Sequence, residues 1–521
     1  MAGTPNVRFV ATLSLAALSI GPLVGSAVAA DLFVTPAGGG TTCVQAAPCT
    51  LVTALATAVK DDTIYVGAGT YTGTGTEVVL LDKTVNLLGG WDGAASGPVH
   101  RDHVVYTSGL DGENARRVIK VVGAAAAPVI DGLSIIRGNA SGLTAQCGAQ
   151  GINNGCGGGI FVYNAGPIIS DNHISGNAAA TTALKPAFSA AGGGIEVYYG
   201  HDLVIRDNTI SGNTASSASL GFGGGISSEY CDRCRIEGNR VIGNTATTLA
   251  ASPGWGGGIA LGGDASTVAV TGNLVVGNTA SAKGFSMGNA LCTWYPTVDV
   301  ARNHFSSDDA RDTVYLGGWR GTFAGNRVEA TGAALVALRL TLGRNEEATI
   351  VNNVIAGGSA AAVSADGMHD YRVIATLRNN TIVGNGAATG VLVDSFAIVT
   401  MTNNIVSGHA TGLAATGSGV LTADHTLFWN NDDDGIPGTN QLNGDPKFVN
   451  RAYGDFHIQA TSVAQGNAID AGVATDLDGD ARPGLGGYDV GADELAPARF
   501  DFGTPASPVA FGYTGVSHNT A

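Results

Sequence analysis

The chain has 521 residues, 79 of them Gly, about twice the usual share. Only 13% are charged, and 26 Lys+Arg against 42 Asp+Glu leave a net charge of −16. That balance excludes a basic surface for nucleic acid and disfavours an anionic membrane. The 44% hydrophobic share argues against wholesale disorder, and Gly without a three-residue period, with only 16 Pro, excludes collagen.

Arg8 is the only charge before Asp31, Phe9 to Val24 is mostly apolar, and Ala27-Val28-Ala29 reads as a small-residue cleavage site. Residues 1–30 are therefore expected to be an export signal, and the protein to be secreted, extracellular or held at the cell surface. No second apolar run long enough to span a bilayer follows, so no transmembrane segment is predicted beyond it. An exported chain with seven Cys is expected to pair near neighbours: Cys43 with Cys49, Cys147 with Cys156, and Cys231 with Cys234. Cys292 is left over.

Residues 31–100 read as an N-terminal cap and first coils. Val52, Leu55, Ala56 and Val59 fall on one face of a short predicted helix that would cover the first coil, with Thr63–Val66 starting the stack. From 101 to 440 one phrase recurs, first as Asp171-Asn172-His173-Ile174-Ser175-Gly176-Asn177. Its second-position Asn returns at 208, 239, 273, 303, 326, 353, 380 and 404. A period in the twenties to thirties denotes a solenoid. Gly, Asn, Thr and Val every few residues forbid long helices, and the short apolar–polar alternations between them are strands. The predicted fold is all-β, a parallel β-helix of about a dozen coils, roughly 60 Å long at the usual strand spacing. The repeated Asn should hydrogen-bond from coil to coil. A second phrase, Gly-Gly-Gly-Ile, ends at Ile160, Ile195, Ile226 and Ile259. Extra residues follow Asn177, Asn213, Asn244 and Asn278 in successive coils and should stack as a wall. Residues 441–495 carry motifs of their own and are expected to close the array. Residues 496–521 read as a linker and the truncated start of a further module.

Phe33-Val34-Thr35-Pro36, Asp62-Thr63-Ile64-Tyr65-Val66, Ala68-Gly69-Thr70-Tyr71 and Leu88-Gly89-Gly90-Trp91-Asp92-Gly93 resemble the opening of secreted bacterial right-handed β-helix proteins. Asp445-Pro446, Phe448-Val449, Gly454-Asp455-Phe456-His457-Ile458, Ala468-Ile469-Asp470-Ala471-Gly472, Asp476, Asp478-Gly479-Asp480, Gly487-Tyr488-Asp489 and Gly491-Ala492-Asp493-Glu494 resemble the closing signature of choice-of-anchor Q proteins. The resemblance implies a right-handed parallel β-helix of the pectate-lyase-like superfamily with an exported life. Its relatives include enzymes and adhesin-like surface proteins, so it does not fix an activity.

Alternation after the glycine triplets points Ile160 and Val162 inward. It points Phe161, Tyr163, Glu196, Tyr198 and Glu229 outward, with Tyr230 alongside. Rings and carboxylates in such a column suit stacking on sugars and binding their hydroxyls. Ordinary packing under the inserted loops is the alternative. Trp294, Tyr295, Trp319 and Arg320 form a neighbouring group. Elimination on a uronate needs a base and a cation, often Ca²⁺. Lys185 and Lys283 in the wall are candidates for the base, and solubilising loop lysines are the plain alternative. Asp308-Asp309 is a carboxylate doublet for hydrolysis, although adjacent strand residues face opposite ways and a solvated turn explains it as well. Asp366, His369, Asp370 and Arg372 read as a polar turn. Asp476, Asp478 and Asp480 have the spacing of a calcium loop, with a hydrogen-bonded cap turn as the alternative. The sequence thus predicts a monomeric protein that binds polysaccharide beside residues 178–290. Cleavage, by a lyase or a hydrolase acting on acidic glycans, stays open. A surface scaffold without activity is the second reading.

Overall fold

The computed structural model describes residues 29–143, 155–182, 189–250, 252–264, 266–281, 286–341, 347–484, 486–495, 500–503 and 514–517. Short strands wind into a right-handed parallel β-helix with three long parallel sheets along its axis. The first sheet has 14 strands, from Asp31–Val34 to Val420–Asp424. The second has 13, from Glu77–Leu81 to Asp433–Gly435, and the third has 14, from Gly69–Tyr71 to Leu442–Asn443. The stack begins one strand earlier than the sequence suggested, because Asp31–Val34 pairs with Thr63–Gly67. Inward positions repeat in register: Ile160, Ile195, Ile226, Ile259, Leu291 and Val314 form one apolar column. All six are fully buried.

The repeated Asn mark the corner between the first and third sheets, and they form an unbroken ladder. Each Nδ2 from Asn172 through Asn380 donates to the Oδ1 of the next Asn, ending at Asn404, at 2.9–3.1 Å. A second ladder joins Asn177, Asn213, Asn244 and Asn278. The residue before each ladder Asn adopts positive φ, as at Asp171, Asp207 and Gly238. Gly, Asn and Asp take a left-handed corner at least cost, and they fill each of these positions except 302, where Arg302 adopts φ 55°.

The insertions do stack. Gly155–Cys156, Ser189–Ala191, Leu220–Phe222 and Gly254–Trp255 form one four-stranded parallel sheet. Ala178–Ala180, Thr214–Ser216, Thr245–Thr247 and Thr279–Ser281 form another. Together they build a wall beside the second sheet.

Helix α1 (Leu51–Thr57) is N-capped by Thr50, whose side chain accepts from Thr53 N. Its buried face is Leu51, Ala54 and the following Ala58, with Leu55 half-buried. The expected face is thus rotated by one residue, and Val52 and Val59 are exposed. Cys43–Cys49 and Cys231–Cys234 are disulfides as expected; Cys147 of the third pair lies outside the described residues. Cys292 is a buried free thiol.

Residues 441–495 do more than close the end, because they fold back along the outer face of the third sheet. Phe448, Phe456, Ile458, Val490 and Ala492 pack on Val354, Val383, Ile405 and Leu427. Left-handed Asn at three successive corners hold this segment. Asn352, Asn379 and Asn403 donate to the carbonyls of Thr475, Asp489 and Ile469. The fully buried Arg482–Glu494 ion pair, at 2.6 Å, ties its last turns together.

Candidate functional site

Two outward columns run side by side along the second sheet. One is Phe161, Glu196, Ser227, Ala260, Cys292, Tyr315 and Arg339. The other is Tyr163, Tyr198, Glu229, Gly262, Trp294, Gly317, Thr341 and Asp366. The predicted column therefore exists, but part of it is not exposed. Phe161 is fully buried, clustered with Cys156 and Tyr198, under the Arg117 guanidinium 4.9 Å from its ring centroid. Glu196 is also fully buried, and neither carboxyl oxygen has a hydrogen-bond partner among the described residues. Alternation decides which residues leave the barrel. It does not say what the inserted loops then cover. Burial and the neighbouring Glu229 push the Glu196 carboxyl far above the usual range, and burial lifts Glu229 to about 7. Phe161 and Glu196, expected at the surface, are therefore not surface contacts.

What remains exposed is a ribbon of rings at the corner after this sheet. Tyr199 is 46% exposed, and Tyr163 and Tyr230 are half-buried. Tyr199 stacks on Tyr230 with centroids 5.2 Å apart and meets Tyr163 edge-on at 6.4 Å. Tyr198, largely buried, supports them 4.4 Å from Tyr199. Tyr199, Tyr230 and Tyr295 all occupy the left-handed region, with φ 56°, 54° and 66°. That conformation costs a bulky residue roughly 1–2 kcal/mol. Asn164, Gly263 and Gly318 fill the same corner in neighbouring coils. The glycines make room for the rings. A Cβ at Gly263 would lie 2.7 Å from the Tyr230 ring, at Gly318 2.3 Å from the Tyr295 ring, and at Gly262 2.0 Å from the Trp294 ring. Trp294 continues the ribbon, packed with Phe222 and Trp255 of the wall at 5.3 and 6.1 Å.

Where the wall ends, the same face opens into a cavity of about 610 Å³ lined by Arg311, Asp312, Tyr315, Arg339, Thr341 and Asp366, among others. Met287 and Tyr315 also line a neighbouring apolar hollow of about 220 Å³, with Trp255, Trp294 and Tyr295. Arg339 joins two carboxylates. Its Nε donates to Asp312 Oδ2 at 2.6 Å and its Nη1 to Asp366 Oδ2 at 2.8 Å. Thr341 Oγ1 donates to Asp366 Oδ1 at 2.7 Å. Burial raises the Asp312 carboxyl against the pull of Arg339. Asp312 and Arg339 lie outside the site expected from the sequence, and Asp366, expected on a polar turn, ends the strand Ala361–Asp366. Carrying the outward alternation past the last glycine triplet, from Cys292 to Tyr315 and Arg339, was the signal that could have found them.

The other candidates lie apart from this cavity. Trp319 belongs to the barrel core, its indole donating to Val298 O at 2.8 Å, so it is not a surface contact. Arg320 is half-buried where the chain enters the first sheet. Asp308 is exposed and Asp309 half-buried on a turn, where Asp309 Oδ1 accepts from Ala310 N. Lys185 and Lys283 lie outside the described residues. Asp476, Asp478 and Asp480 do not converge as a calcium loop would. Asp476 accepts backbone N–H from Asp478, Asp480 and Glu494, which is the cap-turn alternative. Asp478 instead meets His457 Nε2 at 2.7 Å, and His457 also bonds Asp455. Asp478 first, then Asp455, raise His457 to about 10. His457, Asp478 and Asp493 are near enough to share an ion, but a His between carboxylates is not the all-oxygen set of calcium. Among the described residues, no helix is long and apolar enough to cross a membrane.

Comparison with curated proteins found no sequence match. Among solved structures, the chain is similar to the pectate lyase Pel9A at 12% identity and TM-score 0.41, over 90% of this chain and 97% of that one. It is similar to XylC, solved in complex with xylose, at 12% identity and TM-score 0.45, over 80% and 87%. It is also similar to an alginate lyase from Paenibacillus sp. at 14% identity and TM-score 0.28, over 76% and 99%. At such low identity none of them tells what this chain does. A family model described as the right handed beta helix region matches residues 123–305 and 339–451, more than half of the sequence. The chain belongs to the right-handed β-helix family.

Proposed function

We propose that this protein binds polysaccharide along the second-sheet face, with the polymer lying parallel to the rod over Tyr163, Tyr199, Tyr230 and Trp294. The observation that carries this reading is the strained ribbon itself. Bulky residues hold left-handed corners where glycine would cost nothing, and glycines in adjacent coils are notched to seat their rings. Strain of this kind is kept where exposed rings have a use. Flat, half-exposed aromatic faces suit the C–H faces of pyranose rings, and phenol hydroxyls suit their O–H groups. Export, read from residues 1–30 and in keeping with the disulfides Cys43–Cys49 and Cys231–Cys234 among the described residues, would bring the face to extracellular or cell-surface glycans.

A glycan array with the full chain tests the reading, alongside a Tyr199→Ala/Tyr230→Ala variant. Polymer binding that the double variant loses is expected, and no glycan bound by the unaltered chain would favour a scaffold that only displays other modules. Absorbance at the unsaturated-uronate wavelength, measured on each glycan bound, reports whether elimination accompanies binding.

A further inference from the structure

We propose that the cavity between Asp312, Arg339 and Asp366 is a binding pocket for a single neutral sugar unit. The proposal deepens the polysaccharide reading by naming the unit recognised. It fails separately, because the probe is a free monosaccharide rather than a polymer.

The reasoning proceeds by the charges and hydrogen-bonding groups of the cavity wall. Asp312 is 7% exposed, and its Oδ1 has no partner among the described residues. Ser286 Oγ and Arg311 Nε in the same wall, and Trp255 Nε1 in the adjoining hollow, are also buried without partners among the described residues. Buried polar atoms are nearly always paired, so three orphans in one wall and a fourth in the hollow beside it call for a ligand that completes them. They include both donors and an acceptor, and a polyhydroxyl compound answers both. An anion is disfavoured because Asp312 and Asp366 hold the floor and the Arg339 guanidinium is occupied by both of them, which leaves Arg311 to face two carboxylates. A metal cation is disfavoured because that guanidinium stands between the two carboxylates. An apolar ligand would leave the orphans unpaired at a cost. Tyr315, Met287 and the neighbouring Trp294 supply the apolar side that a pyranose C–H face needs. Asp366, 35% exposed at its side chain and held in place by Arg339 and Thr341, is the accessible acceptor for ring hydroxyls.

The test titrates the full chain at neutral pH with D-glucose, D-galactose, D-xylose and D-galacturonate, reading tryptophan fluorescence from Trp255 and Trp294. Saturable binding of at least one neutral sugar is expected, with galacturonate roughly tenfold weaker or absent. Ser286→Ala should weaken that sugar about fivefold, the worth of one hydrogen bond. It should leave the unfolding midpoint unchanged, because the hydroxyl has no partner to lose among the described residues. Asp366→Asn should weaken the sugar about tenfold. The Tyr199→Ala/Tyr230→Ala variant should keep monosaccharide binding while losing the polymer. No saturation by any neutral sugar, galacturonate bound as tightly, or Ser286→Ala and Asp366→Asn both without effect would each overturn the assignment.

Discussion

Asn208 Nδ2 donates to Asn239 Oδ1 one coil away, at 3.0 Å, while the same Nδ2 meets the carbonyls of Ile169 and Arg206. Asn208 Oδ1 in turn accepts both the backbone N–H and the side-chain amide of Asn172. One side chain thus serves three coils, and every group in it is used although it is 1% exposed.

Asn208→Ala should therefore be among the costliest single changes in the rod. It removes the acceptor of the Asn172 backbone N–H and side-chain amide and the amide donor to Ile169 O in a buried corner, at about 1–3 kcal/mol for each unmade bond, while Asn239 Oδ1 keeps the Asn208 backbone N–H. Equilibrium urea unfolding should show a midpoint lowered by at least 2 kcal/mol equivalent. A Ser217→Ala control, at a weak exposed contact, should change little.

That ladder was legible because identical side chains recur at one coil's spacing, and sequence shows spacing directly. The wall was legible for the same reason, since the insertions enter at one point in four coils. What the wall covers was not legible. Phe161 and Glu196 leave the barrel as alternation requires, and only the fold shows them roofed over. The cavity was hidden differently: Asp312, Arg339 and Asp366 lie on successive coils far apart in sequence. The docking of the flank segment has its own trace in the sequence. Corners 171, 207, 238, 272, 302 and 325 carry Asp, Gly or Arg, whereas 352, 379 and 403 carry Asn, where the C-terminal segment docks.

Asn403 tests that docking. Its Nδ2 donates to Ile469 O at 2.7 Å, and its Oδ1 accepts from Ile469 N. Asn403→Ala should speed amide exchange across residues 464–491 while leaving the Asn172–Asn303 ladder protected. Uniform loosening of both regions would contradict a local clasp.

Glu196 and Glu229 predict an inverted acid–base dependence. Both carboxyls are raised in the folded state, so both are protonated there at pH values where the unfolded chain has lost those protons. Their contribution is best below the unfolded value near 4.3 and worsens as pH rises. Each group costs about 1.4 kcal/mol per pH unit up to its folded value, about 7 for Glu229. Glu196→Gln should lose less stability than the unaltered chain between pH 5 and pH 8 in urea titrations. Equal slopes would mean that Glu196 stays paired and charged.

Gly263 tests the notch under the ribbon. At φ 97° and 2.7 Å from the Tyr230 ring, an added Cβ meets both backbone strain and the ring. Gly263→Ala should lower stability by about 1–2 kcal/mol and weaken polymer binding by displacing Tyr230. Unchanged polymer affinity with lowered stability would separate the notch from the ribbon's function.

The most direct test of the account is hydroxyl-radical footprinting of the full chain with and without a bound polysaccharide. Tyr199 and Tyr230 should be protected together with Trp294, while Tyr453 on the far segment, 87% exposed, stays equally reactive. Protection confined to other surfaces, with Tyr199 and Tyr230 oxidised at the same rate as before, would contradict a glycan lying on the second-sheet face.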